Sequence, residues 1–340
     1  MTADHSAMPC TWLSTGRYGV FLTPRGTGFS TCGEYLLTAW HADPVEDVDG
    51  FAVHLRDVDS GAHWTACGAP LAGQVAGSAT AGDDGHVVQR ACDGIEARVV
   101  TTLAAAGDGE WRHVEIRNTR RTACRIEVTS ALAVVLNHGP AHAAHPAFSK
   151  LFVQTMHDAA RGALLARRRP RANVEHHPVL VHALVGTPPT EWESDRVRFL
   201  GRANDAAQAL AFRPDARLSG TVGNVLDPLL ALRTVVDLPA DGVTTLRFFI
   251  GCATDDAAAR ALLDRAAVDA RPATLTAAVP GERWRDMTEG FGAAAVAVSA
   301  TAVEPVAYIA SHGNGHGAEP LLAANGLGGF NADGNEYVIR

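Results

Sequence analysis

The sequence predicts a mainly β protein, an antiparallel β-sandwich followed by a C-terminal helix and an irregular tail. Between residues 12 and 250, short apolar runs are separated by stretches rich in Gly, Asp and Asn. This spacing is typical of antiparallel strands and not of βαβ units. In several runs apolar and polar residues alternate, as on strands with one buried face. A strong helical pattern first occurs after residue 254.

The composition is that of a globular protein with a sizeable core. Of 340 residues, 47% are hydrophobic and 19% are charged, and the net charge is −8. The length suits one large domain or two modest ones. The negative charge gives no indication of binding to nucleic acid or to an anionic membrane surface. The one basic run, Arg-Arg-Arg-Pro-Arg at residues 167–171, is interpreted as a solvated strand end, with a phosphate or acidic-partner site as the alternative.

Eight of the apolar runs serve as examples of the predicted strands. Val114 and Ile116 illustrate the pattern, because each is flanked by charged residues or histidine. Such alternation indicates a strand that is buried on one face. The eight runs span residues 18–23, 53–55, 87–90, 97–103, 112–118, 125–136, 180–185 and 197–200.

The clearest strand pair is predicted at residues 229–238 and 243–250. A Pro-Ala-Asp-Gly segment at residues 239–242 separates the two runs, which is a signal for a hairpin turn. In the first run, one face carries no charge, whereas the other carries Arg233 and Asp237. We therefore expect the uncharged face to point into the core. Its members are Leu230, Leu232, Thr234, Val236 and Leu238.

The chain divides into five predicted segments. Residues 1–11 form a leader and residues 12–252 the sandwich domain. Residues 253–270 hold a helix that Thr254 caps, with an apolar stripe that includes Leu262. Residues 271–320 are an Ala/Gly-rich linker, and residues 321–340 carry a motif that leads towards a missing next domain.

The six cysteines are scattered without a Cys-x-x-Cys pair. This pattern argues against a zinc knuckle and against a disulfide scaffold, and it favours buried free thiols in a reducing compartment. The N-terminus lacks the apolar segment of a signal peptide, and no stretch is apolar enough to span a bilayer. We therefore expect a cytoplasmic protein.

Motifs in a fixed order carry a family resemblance. One is Leu-Ser-Gly-Thr-Val-Gly-Asn-Val-Leu-Asp-Pro at residues 218–228, and the last is Asn-Gly-Leu-Gly-Gly-Phe-Asn-Ala-Asp-Gly-Asn-Glu-Tyr-Val-Ile at residues 325–339. The others lie at residues 16–21, 26–30, 38–44, 55–61, 144–153, 164–171 and 194–202. Together they resemble the N-terminal β-sandwich region of glycoside hydrolase family 94, formerly glycosyltransferase family 36. This is the group of cellobiose phosphorylases and cyclic β-1,2-glucan synthases.

The resemblance implies a galactose-mutarotase-like β-supersandwich without the catalytic barrel of the family. It implies a non-catalytic, carbohydrate-associated module of a glucan synthase or glycoside phosphorylase system. The implied partners are a β-glucan or oligosaccharide and either the barrel or a second subunit, with phosphate only where the barrel is present. No cofactor is implied, and the location is cytoplasmic or the cytosolic part of a membrane-associated synthase. The alternatives are a stand-alone carbohydrate-binding protein and a small glycosyltransferase or phosphorylase.

Six residues are candidates for contact with a sugar. His145, Phe148, Ser149 and Lys150 share one loop motif, in which Phe148 could stack on a sugar and the polar groups could meet a hydroxyl or phosphate. Trp40 and Trp64 are stacking candidates. The alternative for Phe148 and the tryptophans is a place in the core.

Other polar clusters are weighed against a role in catalysis or metal binding. His138, His142 and His145 have helical spacing for a metal site, but Gly139, Pro140 and Pro146 break a helix and place them in a loop. We therefore predict no metal site. The acidic clusters are interpreted as solvated loops, so no catalytic residue is assigned. They comprise Asp43, Glu46, Asp47 and Asp49; Asp83 and Asp84; and Glu191, Glu193 and Asp195.

Overall fold

Two antiparallel β-sheets lie face to face and enclose the main core. The computed structural model describes residues 8–15, 17–41, 49–68, 71, 78–82, 85–105, 108–171, 175–202, 206–268, 304–308, 329–330 and 337–338. The strands are β1 Met8–Ser14, β2 Tyr18–Leu22, β3 Gly28–Cys32, β4 Tyr35–Thr38, β5 Phe51–Asp57, β6 His63–Thr65, β7 Ser78–Gly82, β8 Gly85–Cys92, β9 Ile95–Leu103, β10 Gly109–Asn118, β11 Cys124–Asn137, β12 Val153–Asp158, β13 Ala163–Arg168, β14 Val179–Val185, β15 Glu191–Asp195, β16 Gly223–Asn224, β17 Pro228–Leu238, β18 Val243–Ala253, β19 Glu304–Tyr308, β20 Gly329–Phe330 and β21 Tyr337–Val338.

The first sheet has the order β15-β17-β11-β4-β3-β2-β1-β19, with β5 and β6 continuing from β11. The second sheet has the order β16-β12-β13-β14-β18-β10-β9-β8-β7. The helices are α1 Gly139–Ala144, α2 Pro146–Lys150, α3 Arg196–Leu200 and α4 Asp256–Val268, with two 3-10 turns at Ala206–Gln208 and Leu210–Phe212. The predicted antiparallel sandwich with a C-terminal helix is therefore confirmed.

Alternating side chains from both sheets fill the space between them. Leu230, Leu232, Val236 and Leu238 enter this core, as the uncharged face of their run predicted. On the outer face of the second sheet, α4 buries Leu262 and Leu263 in a cluster that includes Trp111 and Phe249. None of the helices in the described ranges is long and apolar enough to cross a membrane.

The predicted hairpin is wrong, although both of its strands exist. β17 pairs with β11 and β15 in the first sheet, whereas β18 pairs with β10 and β14 in the second. The Pro-Ala-Asp-Gly segment therefore carries the chain from one sheet to the other. The turn residues determine only that the chain reverses direction. The long strand β11 pairs with β17, and the long strand β10 pairs with β18.

Three further predictions are corrected at helix ends. Residues 197–200 form α3 and not a strand, because Asp195 accepts a hydrogen bond from the Val197 amide at 2.9 Å and Gly201 adopts a φ of 85° after the last turn. The predicted histidine loop forms α1 and α2, because Pro140 and Pro146 occupy first turns, where proline favours a helix. The cap of α4 is Asp255, which accepts from the Ala258 amide at 2.8 Å, and not Thr254.

The prediction of free thiols fails for two of the six cysteines. Cys32 at the end of β3 and Cys252 near the end of β18 form a disulfide between the two sheets. They are 220 residues apart in sequence, so no local spacing could reveal the pair. Cys10, Cys67, Cys92 and Cys124 take no part in this disulfide.

Strand pairing extends beyond both ends of the predicted sandwich domain. β1 begins at Met8, so the predicted leader contributes its last four residues to the first sheet. Within the predicted linker, Glu304–Tyr308 pairs antiparallel with β1. The rest of the linker lies outside the described residues, and in the motif segment Gly329–Phe330 pairs with Tyr337–Val338.

Candidate functional site

Charged side chains from five separate segments meet at one end of the sandwich. We name His41, Asp49, Lys150, Arg196 and Asp227 the end cluster. The Lys150 Nζ lies 2.7 Å from the Asp227 Oδ1, and the Arg196 Nη1 lies 3.7 Å from the Asp227 Oδ2. The His41 Nδ1 bonds directly to the Asp49 carboxylate. The electrostatic influence of Lys150 and Arg196 on His41 and Asp49 shows that both pairs belong to one group.

Buried contacts of α2 place Lys150 in this group. Ser149 is 2% exposed, and its hydroxyl accepts a hydrogen bond from the Asn137 amide nitrogen at 3.0 Å. Its carbonyl oxygen accepts from the Arg168 guanidinium at 2.6 Å. The hydrogen bonds of Ser149 and Arg168 fix the position of α2. Lys150, the last residue of α2, therefore lies next to Asp227.

His41 of the end cluster and the nearby His142 have pKa values that are shifted in opposite directions. The hydrogen bond to Asp49 raises the pKa of His41, against the opposing effect of burial. Burial, together with the positive charges of Lys150 and His41, lowers the pKa of His142 to about 4. His142 is 7% exposed, and its Nδ1 has no hydrogen-bond partner in the structure. The His142 imidazole is therefore neutral at neutral pH, within electrostatic reach of the His41–Asp49 pair.

Four exposed apolar residues lie close in sequence to members of the end cluster. Leu226 is 75% exposed, Phe148 54%, Val197 48% and Leu151 43%. Each of the four is within two residues of Lys150, Arg196 or Asp227. We name these four residues the apolar rim. Neighbouring exposed apolar residues around paired charges are typical of a surface that binds another protein domain.

The predicted sugar-contact residues separate into two groups. His145 and Phe148 are exposed beside the end cluster, and Lys150 belongs to it. Trp40 is only 6% exposed and packs against Phe21 and Phe29, at ring distances of 5.0 and 5.7 Å. Trp64 is 2% exposed in the core between the sheets. The two tryptophans therefore present no ring face to a sugar, which corrects their prediction as stacking residues.

The interpretation of Glu193 as a solvated carboxylate is also wrong. Glu193 is 1% exposed and accepts hydrogen bonds from the backbone amides of Ser194, Asp195 and Ser219. Glu191 accepts from the Leu218 amide at 2.9 Å. Both carboxylates thus hold the start of the long motif at residues 218–228. Asp43, Glu46, Asp47, Asp83 and Asp84 lie outside the described residues.

A buried ionic network on the outer face of the first sheet went unpredicted. Arg56 donates to both oxygens of Glu127, at 3.0 and 2.7 Å, and the Arg233 Nε lies 3.4 Å from Glu127. Arg233 is 2% exposed and also donates to the Ala211 carbonyl at 2.6 Å. Strand alternation does place Glu127 and Arg233 on a polar face. That face is buried because the segment with the 3-10 turn Leu210–Phe212 covers it. The Phe212 ring stacks on the His63 ring, with 4.0 Å between centroids.

This network is buried and therefore closed to a substrate. The charges are paired with one another, as buried charges must be. In the part of the chain that the structure describes, no three His, Cys, Asp or Glu side chains are arranged to hold a metal ion. The end cluster with its apolar rim is therefore the strongest candidate for contact with a macromolecule.

Comparison with known proteins gives one family and several relatives. Residues 2–268 match the family described as glycosyl hydrolase 94, supersandwich domain. The cyclic β-(1,2)-glucan synthase NdvB of Rhizobium meliloti (strain 1021) is 34% identical over 258 residues, which are 74% of this chain and 9% of that protein. The chain thus spans about a tenth of the length of that relative.

Solved structures with a similar arrangement have low sequence identity. A candidate aldose 1-epimerase from Escherichia coli K12 is 8% identical, with a TM-score of 0.43, and covers 73% of this chain and 100% of its own. A candidate kojibiose phosphorylase from the human microbiome is 7% identical, with a TM-score of 0.43, over 76% of this chain and 33% of its own.

Proposed function

Because the chain belongs to the glycosyl hydrolase 94 supersandwich family, we propose that it is a non-catalytic module of a cyclic β-1,2-glucan synthase or glycoside phosphorylase system. Its end cluster and apolar rim dock against the catalytic barrel of that system. The similar synthase is far longer than the matched segment. A sandwich within such a protein needs an interface with the rest of the chain.

The apolar rim is the observation that carries this proposal. Four large apolar side chains are exposed, and each lies within two residues in sequence of a member of the Lys150–Asp227–Arg196 ion pairs. Single exposed residues scattered along the chain would need no explanation. Interfaces combine such apolar anchors with charges that fix orientation. The cluster contains Lys150, Arg196 and Asp227, so it offers both signs of charge to a partner.

The state of the buried carboxylates supports a non-catalytic role. Phosphorolysis needs a carboxylic acid that is free to protonate the leaving oxygen. Among the described residues, Asp57, Glu110, Glu127 and Glu193 are buried, and each contacts donors of the fold itself. Such carboxylates are held in place as structural acceptors.

Complex formation tests the docking role. The barrel-containing remainder of a synthase, produced separately, is mixed with this chain, and the affinity is measured by calorimetry and co-elution. We expect a complex that Phe148→Asp and Leu226→Asp each weaken by about tenfold or more, since each puts a charge into an apolar contact. Val243→Asp is the matched control, because Val243 is also 54% exposed and lies just beyond the opposite end of β17. Equal weakening by all three variants, or self-association without barrel binding, would contradict the proposal.

Activity of the chain alone tests the non-catalytic role. The purified chain is incubated with β-1,2-linked gluco-oligosaccharides and phosphate, and sugar phosphate is measured. We expect no release above the rate without protein. Sustained release of sugar phosphate would instead show that the chain is a small phosphorylase. The prediction that it has no catalytic acid would then be wrong.

A further inference from the structure

A cavity of about 520 Å³ opens between the β3–β4 turn, the segment before β14 and the end of β18. Its volume falls in the usual range for small-molecule sites. No residue of the end cluster or apolar rim lines it. The lining residues that matter here are Arg17, Cys32, Glu34, Tyr35, His177 and Thr254. The Cys32–Cys252 disulfide joins the two sheets at this wall.

Tyr35 gives the cavity a fixed aromatic surface. Its half-buried ring lies 4.6 Å from the His138 ring and 5.2 Å from the His177 ring, measured between centroids. The two imidazoles restrict rotation of the phenol, so little side-chain entropy remains to be lost on binding. A flat ring of this kind suits a ligand with an apolar face and a polar edge.

His177 supplies a nearly buried imidazole whose nearest charged neighbour is Glu175. Its side chain is 6% exposed, and neither ring nitrogen makes a hydrogen bond within the protein. The nearest carboxylate oxygen, on Glu175, lies 3.5 Å from Nε2. Burial is the main cause of the lowered pKa of His177. The neutral ring has one donor and one acceptor on different edges, so two hydroxyls of a ligand are needed to satisfy both.

The charges at the cavity balance one another. Arg17 lies 3.3 Å from Asp108, and Glu175 lies 3.4 Å from Arg171. Glu34 adds a carboxylate to the lining, and Arg168 adds a positive field at His177. An ion of either sign would find no excess of opposite charge here, whereas a neutral ligand with hydroxyl groups would find donors and acceptors.

From this arrangement we infer that the Tyr35–His177 cavity binds one neutral sugar ring. The ring lies against Tyr35, and its hydroxyls bond to His177, Glu34 and Thr254. This site differs from the predicted sugar-contact residues at 145–150. It also differs from the docking surface, so its loss would leave complex formation with the barrel unchanged.

Calorimetric titration of the intact chain tests the site. The probes are D-glucose and sophorose, the β-1,2-linked disaccharide of glucose, with choline and inorganic phosphate as charged probes. We expect saturable binding of a sugar and none of the charged probes at equal concentration. Tyr35→Ala should weaken sugar binding roughly tenfold, since the aromatic surface is lost. Tyr35→Phe, which keeps the ring, should retain most of it.

A second pair of variants guards against misfolding as the explanation. Gly33 lines the cavity, has a φ of +58° and has no atom within 4 Å of an added Cβ. Gly61 has a φ of +74°, similar free space and a position in a distant turn. Asparagine tolerates this backbone region, so both Gly33→Asn and Gly61→Asn should fold. Only Gly33→Asn should block the sugar. Equal effects of the two variants, stronger binding of a charged probe, or no saturable sugar binding would overturn the inference.

Discussion

Single buried polar residues connect the two sheets. The His182 ring on β14 is fully buried and bonds to the Ser130 hydroxyl of β11 at 2.7 Å and the Phe249 carbonyl at 3.3 Å. A carbonyl oxygen only accepts, so Nδ1 donates to it and Nε2 accepts from Ser130. Tyr18 makes a second connection, donating to Glu110 of the opposite sheet at 3.3 Å.

His182 makes the stability of the fold depend on pH. Burial lowers its pKa to about 4 from an ordinary value of 6.5, although the bond to Phe249 opposes the shift. Between these values the unfolded chain binds a proton that the folded chain does not, so the free energy of unfolding falls as the pH falls. We expect this residue to contribute a loss of roughly 3 kcal/mol across the window.

Urea unfolding at a series of pH values measures this dependence. Other histidines also have lowered pKa values, so the unsubstituted chain shows the summed effect of several. They are His54, His63, His86, His113, His142, His157 and His177. His182→Gln should flatten the pH dependence, whereas His176→Gln, at an exposed position, should leave it unchanged. An identical pH dependence in the two variants would refute the role of His182.

The sequence locates functional residues only where exposure follows from local pattern. In the motif at residues 144–153, Phe148 is exposed and Lys150 is partly exposed, and their contact with a sugar stays a prediction. Trp40 and Trp64 have the same chemical suitability for sugars, but the partners that bury them come from β2 and β3 and from the opposite sheet. Asp227 and Arg196 are distant in sequence from Lys150, so the end cluster could not be assembled from residue types and spacing.

At the scale of secondary structure, the alternation of apolar and polar residues left helix and strand ambiguous in short runs, and capping residues determined which of the two formed. The Val-Arg-Phe-Leu run at residues 197–200 alternates like a strand, but the Asp195 cap and Gly201 make it a helix. In contrast, the alternation around Val114 and Ile116 was decisive, because both are fully buried in β10 between exposed neighbours. Short runs of four or five residues carry too few periods to separate the two structures.

Helix α4 stabilises the second sheet by covering its apolar outer face. Leu262 is 2% exposed and belongs to the cluster with Trp111 and Phe249. Leu262→Ala should lower the free energy of unfolding by about 2–5 kcal/mol, from lost burial and the cavity left behind. Val268→Ala is the matched control, because Val268 on the same helix is 90% exposed. Comparable losses in urea unfolding of the two variants would mean that α4 does not dock as described.

The disulfide acts on the molecule as a whole, because it links the two sheets. The loop that it closes spans 220 residues, and such closure restricts the unfolded chain more than a short loop would. Reduction should therefore lower the free energy of unfolding by about 2–5 kcal/mol. The Cys32→Ser/Cys252→Ser double variant should show the lower stability and no further response to reductant.

Thiol titration checks the pairing independently. Denatured but unreduced chain should expose four reactive thiols, and reduction should raise the count to the six cysteines of the sequence. Six reactive thiols without reduction would show that the pair is open in the prepared protein.

The sandwich class was predictable because it depends on the abundance and spacing of strands. The assignment of strands to sheets was not, as β17 and β18 show. Their turn looks like that of a hairpin, yet each strand has its partners in a different sheet. The strand with which β17 or β18 pairs depends on which strands distant in sequence have an unpaired edge. The residues of β17 and β18 and their turn do not contain this information.

The position of β18 at the centre of the second sheet has a consequence during synthesis. β10 is complete at residue 118, but its partner β18 ends only at residue 253. On the ribosome, β10 therefore waits on the order of ten seconds for its neighbour, at typical elongation rates. A chain that stops short of β18 leaves one edge each of β10 and β14 unpaired and open to aggregation. Pairing of the second sheet is thus expected to wait until β18 has emerged from the ribosome, or to need a chaperone that holds the nascent chain until then.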